Sequence, residues 1–378
     1  MSIKAGVIGV GLLGERHCYE LKKNKMVQLR AIAETSRERR EKLAKKLKVN
    51  SYESYEDMLS KEELDLLVVA TPDFLHKDPV IKAAEANVPH IICQKPLSTR
   101  LDDALEMVRT AQEKGSDLYV LFENRFNPMD MTLKHFLKCG LIGRVLYGEA
   151  RLDDSITVPM GLWGKRSREW ACHSSPAHFL LSHVVDLLNW FFAPAKVQEV
   201  YAFCGNEILS YSVDIYDAFL FFDSGLKVRV KSEWVKHIDE LVEFYLCFTG
   251  MRGNIIYNKR PGFGVRAGLR LNVDKDVGLK DLLDVQEELS QKGINIRVFS
   301  QKNARIPLGA EVFSFKDTVE EKTQMDYFIE AIVEGTKEPS SWKGFGPLPS
   351  GDDGLEAVRI VSAIERSARE GKKVRIER

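Results

Sequence analysis

From Ile3 to Phe122 short apolar runs alternate with longer amphipathic stretches, the pattern of strands buried on both faces of a parallel sheet and joined by crossover helices. The spacing predicts strands at Ile3 to Ile8, Gln28 to Ala33, Leu64 to Ala70, His90 to Cys93 and Leu118 to Phe122, separated by helical patterns such as Val80 to Ala86 and Asp102 to Lys114. An α/β domain with a doubly wound parallel sheet over residues 1–125 follows. After Asn127-Pro128 the texture changes: one helix runs to about Cys139, Gly140 and Gly143 end it, and extended segments succeed it. Between Ile215 and Trp234 two alternating runs flank Asp223-Ser224-Gly225, as in a half-buried antiparallel hairpin, and a second hairpin is expected across Val242 to Tyr257. Residues 126–378 therefore read as an α+β domain with a large, mostly antiparallel, open-faced sheet. The helical pattern Phe179 to Phe192 covers one face of that sheet and leaves the other for subunit contact, as in a homodimer or homotetramer. Lys259 to Leu308 holds only one clear amphipathic helix. Two helical patterns close the chain, Val319 to Gly335 and Leu355 to Glu370, and the last helix, about 351–371, is expected to pack back on the first domain.

A chain of 378 residues, 44% hydrophobic and 29% charged, has core enough for two domains. Lysine plus arginine equals aspartate plus glutamate at 55 each, so no global field draws in nucleic acid or an anionic membrane, and a small, locally recognised partner is expected. No uninterrupted apolar stretch reaches the roughly 20 residues of a spanning helix. Six cysteines without a CxxC pair suit a reducing, cytoplasmic setting. The apolar start after Lys4 is glycine-studded and reads as a buried strand rather than a short signal sequence.

The candidate chemistry begins at Gly9-Val10-Gly11-Leu12-Leu13-Gly14, a GxGxxG directly after the first strand and opening the first helix. Gly9 permits a tight turn, Gly11 a close backbone approach to a pyrophosphate, and Gly14 close helix–strand packing. Glu34 closes the second strand, 20 residues past Gly14, where a carboxylate accepts hydrogen bonds from the adenosine ribose. The two features together predict a dinucleotide site. Glu34 repels a 2′-phosphate while Ser36 and Arg37 suit one, and the balance favours NAD over NADP.

Further motifs stand in order along the chain: Val69-Ala70-Thr71-Pro72 with His76, Gln94-Lys95-Pro96-Leu97, Arg125 with Pro128, His183-Val184-Val185-Asp186, Gly351-Asp352-Asp353-Gly354-Leu355 and Gly371-Lys372-Lys373-Val374. In this order, with the fingerprint, the chain resembles the glucose–fructose oxidoreductase, inositol dehydrogenase and rhizopine-catabolism family of Rossmann dehydrogenases, nearly end to end. The resemblance implies an NAD(P)-dependent oxidoreductase acting on a sugar, cyclitol or polyol, with substrate between the nicotinamide and the second domain's sheet. It extends the candidate cofactor contacts to Thr35, Thr71, Pro72, His76, Gln94, Lys95 and Arg125. It also assigns Lys95 and His183 to the reacting hydroxyl, where a cation or base must stabilise the developing alkoxide. Asp186, three residues past His183 and on the same helical face, either orients the ring or binds backbone.

Two positions depart from the family's pattern. Gln94 stands where glutamate is usual, which removes a charge that would hold Lys95 protonated. Phe179 stands where an aspartate is common, one turn before His183, and cannot take a proton. His178 is no simple replacement, since five residues from His183 it points about 140° around a helix. Trp163, Arg166, Arg168, Trp170 and His173 precede this helix in an expected loop, a mix suited to a sugar ring or to a subunit contact, and Trp163, Arg166, Trp170 and His173 are, with His178, the candidate substrate contacts. Cys172, His173, His178 and His183 lie within twelve residues but match no zinc spacing, and no metal is expected. An NAD-requiring lyase, epimerase or glycosidase without net redox, and a catalytically silent dinucleotide-binding regulator, remain open beside the dehydrogenase.

Overall fold

The short, unbroken apolar runs of the first third form one parallel sheet. In the computed structural model, which describes residues 2–259, 267–300, 308–312 and 322–378, its strands are β1 (Ile3–Ile8), β2 (Val27–Ala33), β3 (Asn50–Tyr52), β4 (Leu66–Val69), β5 (His90–Gln94) and β6 (Asp117–Leu121). Their order is β3-β2-β1-β4-β5-β6, parallel throughout. The order reverses between β1 and β4, and ligands of such sheets bind at that switch point, beyond the strands' carboxyl ends. Five of the six strands match the expected runs within two residues at each end. The polar edge strand β3, Asn-Ser-Tyr, carries no apolar run to announce it.

The chain separates into two units, Met1–Glu123 with Lys322–Val358, and Asn124–Glu321 with Arg359–Arg378. The expected boundary left residues 322–350 in the second domain; here they belong to the first unit. Helix Gln324–Glu334, started by the reciprocal Thr323/Asp326 capping box, receives the Asn24 side chain on Asp326 at 2.8 Å. Pro349 accepts the Val120 N–H at 3.0 Å. The helix Gly351–Glu370 leans on β6 through its glycines: a Cβ on Gly354 would lie 2.6 Å from Val120 Cγ2. This gives the Gly351-Asp352-Asp353-Gly354 motif a packing reason. Residues 319–321 of the expected Val319 to Gly335 pattern lie outside the described residues.

The second unit is a ten-stranded sheet. Its strands are β7 (Val145–Asp154), β8 (Val197–Gly205), β9 (Ile215–Phe222), β10 (Lys227–Glu233), β11 (Val242–Gly250), β12 (Gly253–Asn258), β13 (Gly268–Val273), β14 (Arg297–Ser300), β15 (Leu308–Val312) and β16 (Val374–Arg375). They run in the order β14-β15-β13-β12-β11-β7-β10-β9-β8-β16, and every pairing is antiparallel except β7 with β10. Both expected hairpins form. Beneath one face run the helices Pro128–Lys138 and Ser182–Phe192, with Phe191 and Phe192 packed on Phe248. The other face carries exposed Tyr147, Tyr201, Phe203 and Phe219.

Three expectations are corrected. Trp163 to His173 is not a loop, because Lys165–Ala171 is helical. The helix at Phe179 begins with a π-turn, Ala177–Leu181, before Ser182–Phe192, so straight α-helix angles do not hold at His178. The stretch from Lys259 to Leu308, expected to hold one helix, also supplies β13, β14 and the start of β15; its residues 260–266 and 301–307 lie outside those described. Among the described residues no helix is long and apolar enough to cross a membrane.

Candidate functional site

The first turn of the parallel sheet is shaped by what its glycines exclude. Gly9 has φ +80°, and a Cβ there would lie 2.8 Å from the Ala70 carbonyl oxygen, so both backbone and space demand glycine. Gly14 is tighter still, since its Cβ would fall 1.8 Å from the Gly9 oxygen. Gly11 differs: a Cβ there meets nothing within 4 Å. Protein packing does not ask for glycine at this position, whereas a pyrophosphate approaching the N-terminus of helix Leu12–Lys23 would. Leu12 and Leu13 are exposed on this first turn.

Glu34, buried at the end of β2, accepts the Val10 N–H at 3.0 Å, the Ser36 N–H at 2.8 Å and the Arg39 guanidinium at 2.7 Å. Burial pushes its pKa up, but Arg39 and the two backbone donors outweigh burial and hold the carboxyl below its usual range. The Thr35 hydroxyl reaches the same carboxylate at 3.4 Å. Arg37, expected near the ribose, instead extends along its own helix to Glu41 at 2.7 Å. A surface i,i+4 pair holds it there, and Arg39, two residues on along the same helix, takes the place beside Glu34.

At the carboxyl end of β4, Thr71 and Pro72 lead into a 3₁₀ turn. His76, fully buried behind that turn, has Nε2 at 3.0 Å from the Thr71 oxygen and Nδ1 at 2.9 Å from the Pro96 oxygen. Burial pushes its pKa down against the pull of Asp73. With both ring nitrogens on backbone carbonyls, His76 ties the loop after β4 to the loop after β5. Gln94 is likewise engaged: its amide meets buried His17 Nε2 at 2.6 Å, while His17 Nδ1 faces Glu20 at 2.9 Å. A ring donating from Nδ1 to Glu20 accepts at Nε2, which an amide N–H supplies and a carboxylate does not. Gln94 thus fits a His17 that donates to Glu20 from Nδ1, a partner with no signal in the motif. Lys95 follows at the loop's start and is buried, 8% exposed.

In the second unit, buried His183 has Nδ1 at 3.0 Å from Asn124 Nδ2. The amide's other end, Oδ1, accepts from Lys259 Nζ at 2.6 Å, and the same ammonium lies 2.6 Å from Asp130 Oδ2. An ammonium only donates, so Lys259 fixes which end of Asn124 is oxygen and leaves the N–H for His183. Nδ1 of His183 is then an acceptor, and its proton sits on Nε2. Burial raises Asp130 to about 6 against the lowering effect of Lys259. Asp186, expected to orient His183 or bind backbone, grips Arg125 in a fork, Nη2–Oδ1 at 2.5 Å and Nε–Oδ2 at 2.9 Å, both side chains buried. Arg125, expected at the cofactor, is seen here in a buried ion pair with Asp186.

With the geometry in view, two family models match: residues 3–122 fit an oxidoreductase family with an NAD-binding Rossmann fold, and residues 131–256 the GFO/IDH/MocA C-terminal domain. The chain belongs to the GFO/IDH/MocA oxidoreductase family. It is 32% identical to the 2,7-anhydro-N-acetylneuraminate hydratase of Escherichia coli over 145 residues, 38% of either chain, so that match spans well under half of the relative. It is 26% identical to an uncharacterized oxidoreductase of Streptococcus pneumoniae serotype 4 over 99% of this chain and 98% of the other. The fold is shared with the WlbA dehydrogenase of Bordetella pertussis, solved in complex with NADH and UDP-GlcNAcA, at a TM-score of 0.76 and 21% identity, covering 100% of both chains.

Against this GFO/IDH/MocA background, Phe179 sits in an aromatic cluster, edge-on to Trp170 at 4.6 Å and near Trp234 at 6.2 Å, with Trp163 edge-on to Trp170 at 5.4 Å. The position that would have carried an acid is packed with rings. Arg166 and His173 are exposed, and Arg168 covers the Tyr211 ring at 4.7 Å. His178, expected at the substrate, is buried and its Nε2 lies 3.2 Å from Glu365, which also accepts from Ser175. The π-turn aims it at the last helix. The ligand atoms of Cys172, His173, His178 and His183 do not converge on one point among the described residues.

Proposed function

We propose that this protein is an NAD-dependent oxidoreductase that moves hydride between a secondary alcohol of a sugar, cyclitol or related polyol and nicotinamide, with Lys95 and His183 at the reacting hydroxyl. The observation that carries this reading is Glu34: a buried carboxylate held ionised on the Val10 N–H, beside a Gly11 whose missing Cβ leaves room for phosphate. Such a carboxylate suits ribose hydroxyls and repels a 2′-phosphate, which favours NAD over NADP. Gly9 to Gly14 hold the pyrophosphate, with Thr35, Thr71 and Pro72 lining the same strand ends. Bound nicotinamide supplies the hydride acceptor.

Alcohol oxidation requires the hydroxyl proton to leave as hydride departs. Lys95 takes that proton. His183 then acts as a donor: its Nε2–H, set by Asn124 and Lys259, hydrogen-bonds the developing alkoxide. Phe179 removes the usual acid, and the Asn124–Lys259 pair orients the ring in its stead. Asp186 holds Arg125 rather than moving protons. Trp163 and Trp170 offer ring faces to a sugar, with Arg166 and His173 as polar contacts; His178 leaves the substrate set. Self-association through the open sheet face, where Tyr201 pairs across to Phe219 and both are exposed, gives the homodimer or homotetramer, in a reducing cytoplasm that suits six unpaired cysteines.

A second reading rests on the hydratase among the relatives: hydride leaves and returns to the same substrate, without net redox. Calorimetry with NAD and NADP, followed by a sugar and cyclitol panel read by nicotinamide fluorescence, tests both. Binding of NAD over NADP with net NADH formation is expected. Substrate conversion without net NADH selects the second reading, and binding of neither coenzyme overturns both.

A further inference from the structure

We propose that His135, Cys139 and Glu288 form a binding site for a thiophilic divalent cation of the zinc class. His135 lies in the last turn of helix Pro128–Lys138 and Cys139 is its C-cap, so the two stand one turn apart on one face. Glu288 comes from the separate helix Leu279–Ser290. One ligand atom from each of the three lies within 4.8 Å of the others. Cys139 Sγ is 3.6 Å from His135 Nε2, and Glu288 Oε2 is 3.0 Å from that same nitrogen.

These separations are those of ligands around one ion. With zinc–sulfur bonds of about 2.3 Å and zinc–nitrogen or zinc–oxygen bonds of about 2.0–2.1 Å, tetrahedral geometry puts sulfur about 3.5 Å from nitrogen and nitrogen about 3.3 Å from oxygen. Sulfur and nitrogen are already so placed, and the glutamate must withdraw by only a few tenths of an ångström. A thiolate, an imidazole and one carboxylate select zinc over calcium or magnesium, which take all-oxygen sets. Cys139 is exposed, as is Glu288, so an ion has access, and three protein ligands leave a fourth position for water.

The charges set the affinity. Burial pushes the His135 pKa down despite Glu288, and the neutral ring is the form that ligates. The Cys139 thiol, pushed up by partial desolvation against its helix end and by Glu288, releases its proton to solvent when metal binds. Lys138 and Lys292 both bear on His135 and oppose a cation. A bound ion bridges two helices that the His135–Glu288 pair already brings together, and it stabilises the folded chain by mass action.

The test uses full-length, metal-free protein titrated with zinc chloride against a chromophoric chelator, and with cobalt(II) as a spectroscopic probe. One equivalent of zinc, a thiolate-to-cobalt charge-transfer band and a zinc-dependent rise in Tm are expected. Cys139→Ser should remove the band and weaken zinc by more than about tenfold, the loss that even an outer partner's removal causes; Glu288→Gln should weaken it as well. Both positions are exposed, and circular dichroism checks that the variants fold. Zinc binding unchanged in Cys139→Ser, or lost instead in Cys172→Ser, overturns the proposal, as does the absence of any binding that competes with the chelator.

Discussion

The turn after β1 and the ground around His183 carry the two halves of the proposed chemistry, and they are held in opposite ways. In the first, backbone does the holding: Gly9 and Gly14 close the turn, and Glu34 rests on the N–H groups of Val10 and Ser36. Its parts lie within about thirty residues of one βαβ unit. Around His183, side chains hold side chains across long stretches of chain: Asn124 meets it from 59 residues away, and Lys259 meets Asn124 from 135. A backbone cradle tolerates little change in its members. A side-chain relay can exchange them, which is how a phenylalanine at position 179 coexists with an oriented histidine.

The sharpest break in that comparison is at Lys95, where the two halves are proposed to act on one hydroxyl. Lys95→Ala should lower kcat by about 10²–10⁴-fold, the range of a lost acid–base group, while NAD affinity stays within a few-fold. Steady-state kinetics with calorimetric NAD binding checks this; unchanged turnover removes Lys95 from the chemistry.

Next in size is the buried fork of Arg125 and Asp186. Asp186→Ala breaks a buried ion pair and should destabilise the protein by about 3–5 kcal/mol, read as a lower midpoint in urea. If Asp186 were a proton relay instead, Asp186→Asn would keep stability and lose turnover with a changed pH profile.

The relay comes third. Lys259→Met and Asn124→Ala free the His183 ring and should each cost about 10–100-fold in kcat, as loss of an orienting partner does, with NAD affinity unchanged. Asp130 adds a pH signature. Its folded pKa is raised from 3.8 to about 6 by burial, so the folded state holds this proton more tightly than the unfolded one. The stabilisation is complete below about pH 4 and is lost as pH rises through about 6. Relative to Asp130→Asn, the wild type should therefore lose stability across that window, and parallel denaturation curves would contradict the assignment.

The same contrast explains what sequence could and could not reveal. Strands β1, β2, β4, β5 and β6 were legible because burial on both faces leaves uninterrupted apolar runs, and the hairpin at Asp223-Ser224-Gly225 because alternation and turn chemistry agree. The fingerprint and Glu34 were legible because their spacing is set by one strand–turn–helix. Arg39 was not, since an arginine turned back onto a strand end looks like any other on a charged helix. His17 behind Gln94, Lys259 behind Asn124 and Arg125 on Asp186 depend on tertiary neighbours far along the chain, and no local pattern encodes such pairs. The π-turn at Ala177–Leu181 misled the helical angle of His178 because one extra residue per turn leaves no mark in composition.

The smallest effect separates the glycines of the cradle from one another. Gly14→Ala must push a Cβ against the Gly9 carbonyl oxygen, 1.8 Å away, so it should lower both Tm and NAD affinity. Gly11→Ala places its Cβ in open space, and φ −67° at that position suits any residue. The apoprotein should lose only the roughly 1 kcal/mol of stability that separates alanine from glycine at a helix N-cap, a small shift in Tm. What the methyl meets is the ligand: crowding a phosphate by one carbon should cost about 1 kcal/mol, roughly fivefold in NAD affinity. Thermal melts with and without NAD read the two effects apart. A Gly11→Ala protein that binds NAD as tightly as the parent would mean that the pyrophosphate does not cross this turn, and the backbone half of the comparison would lose its ligand.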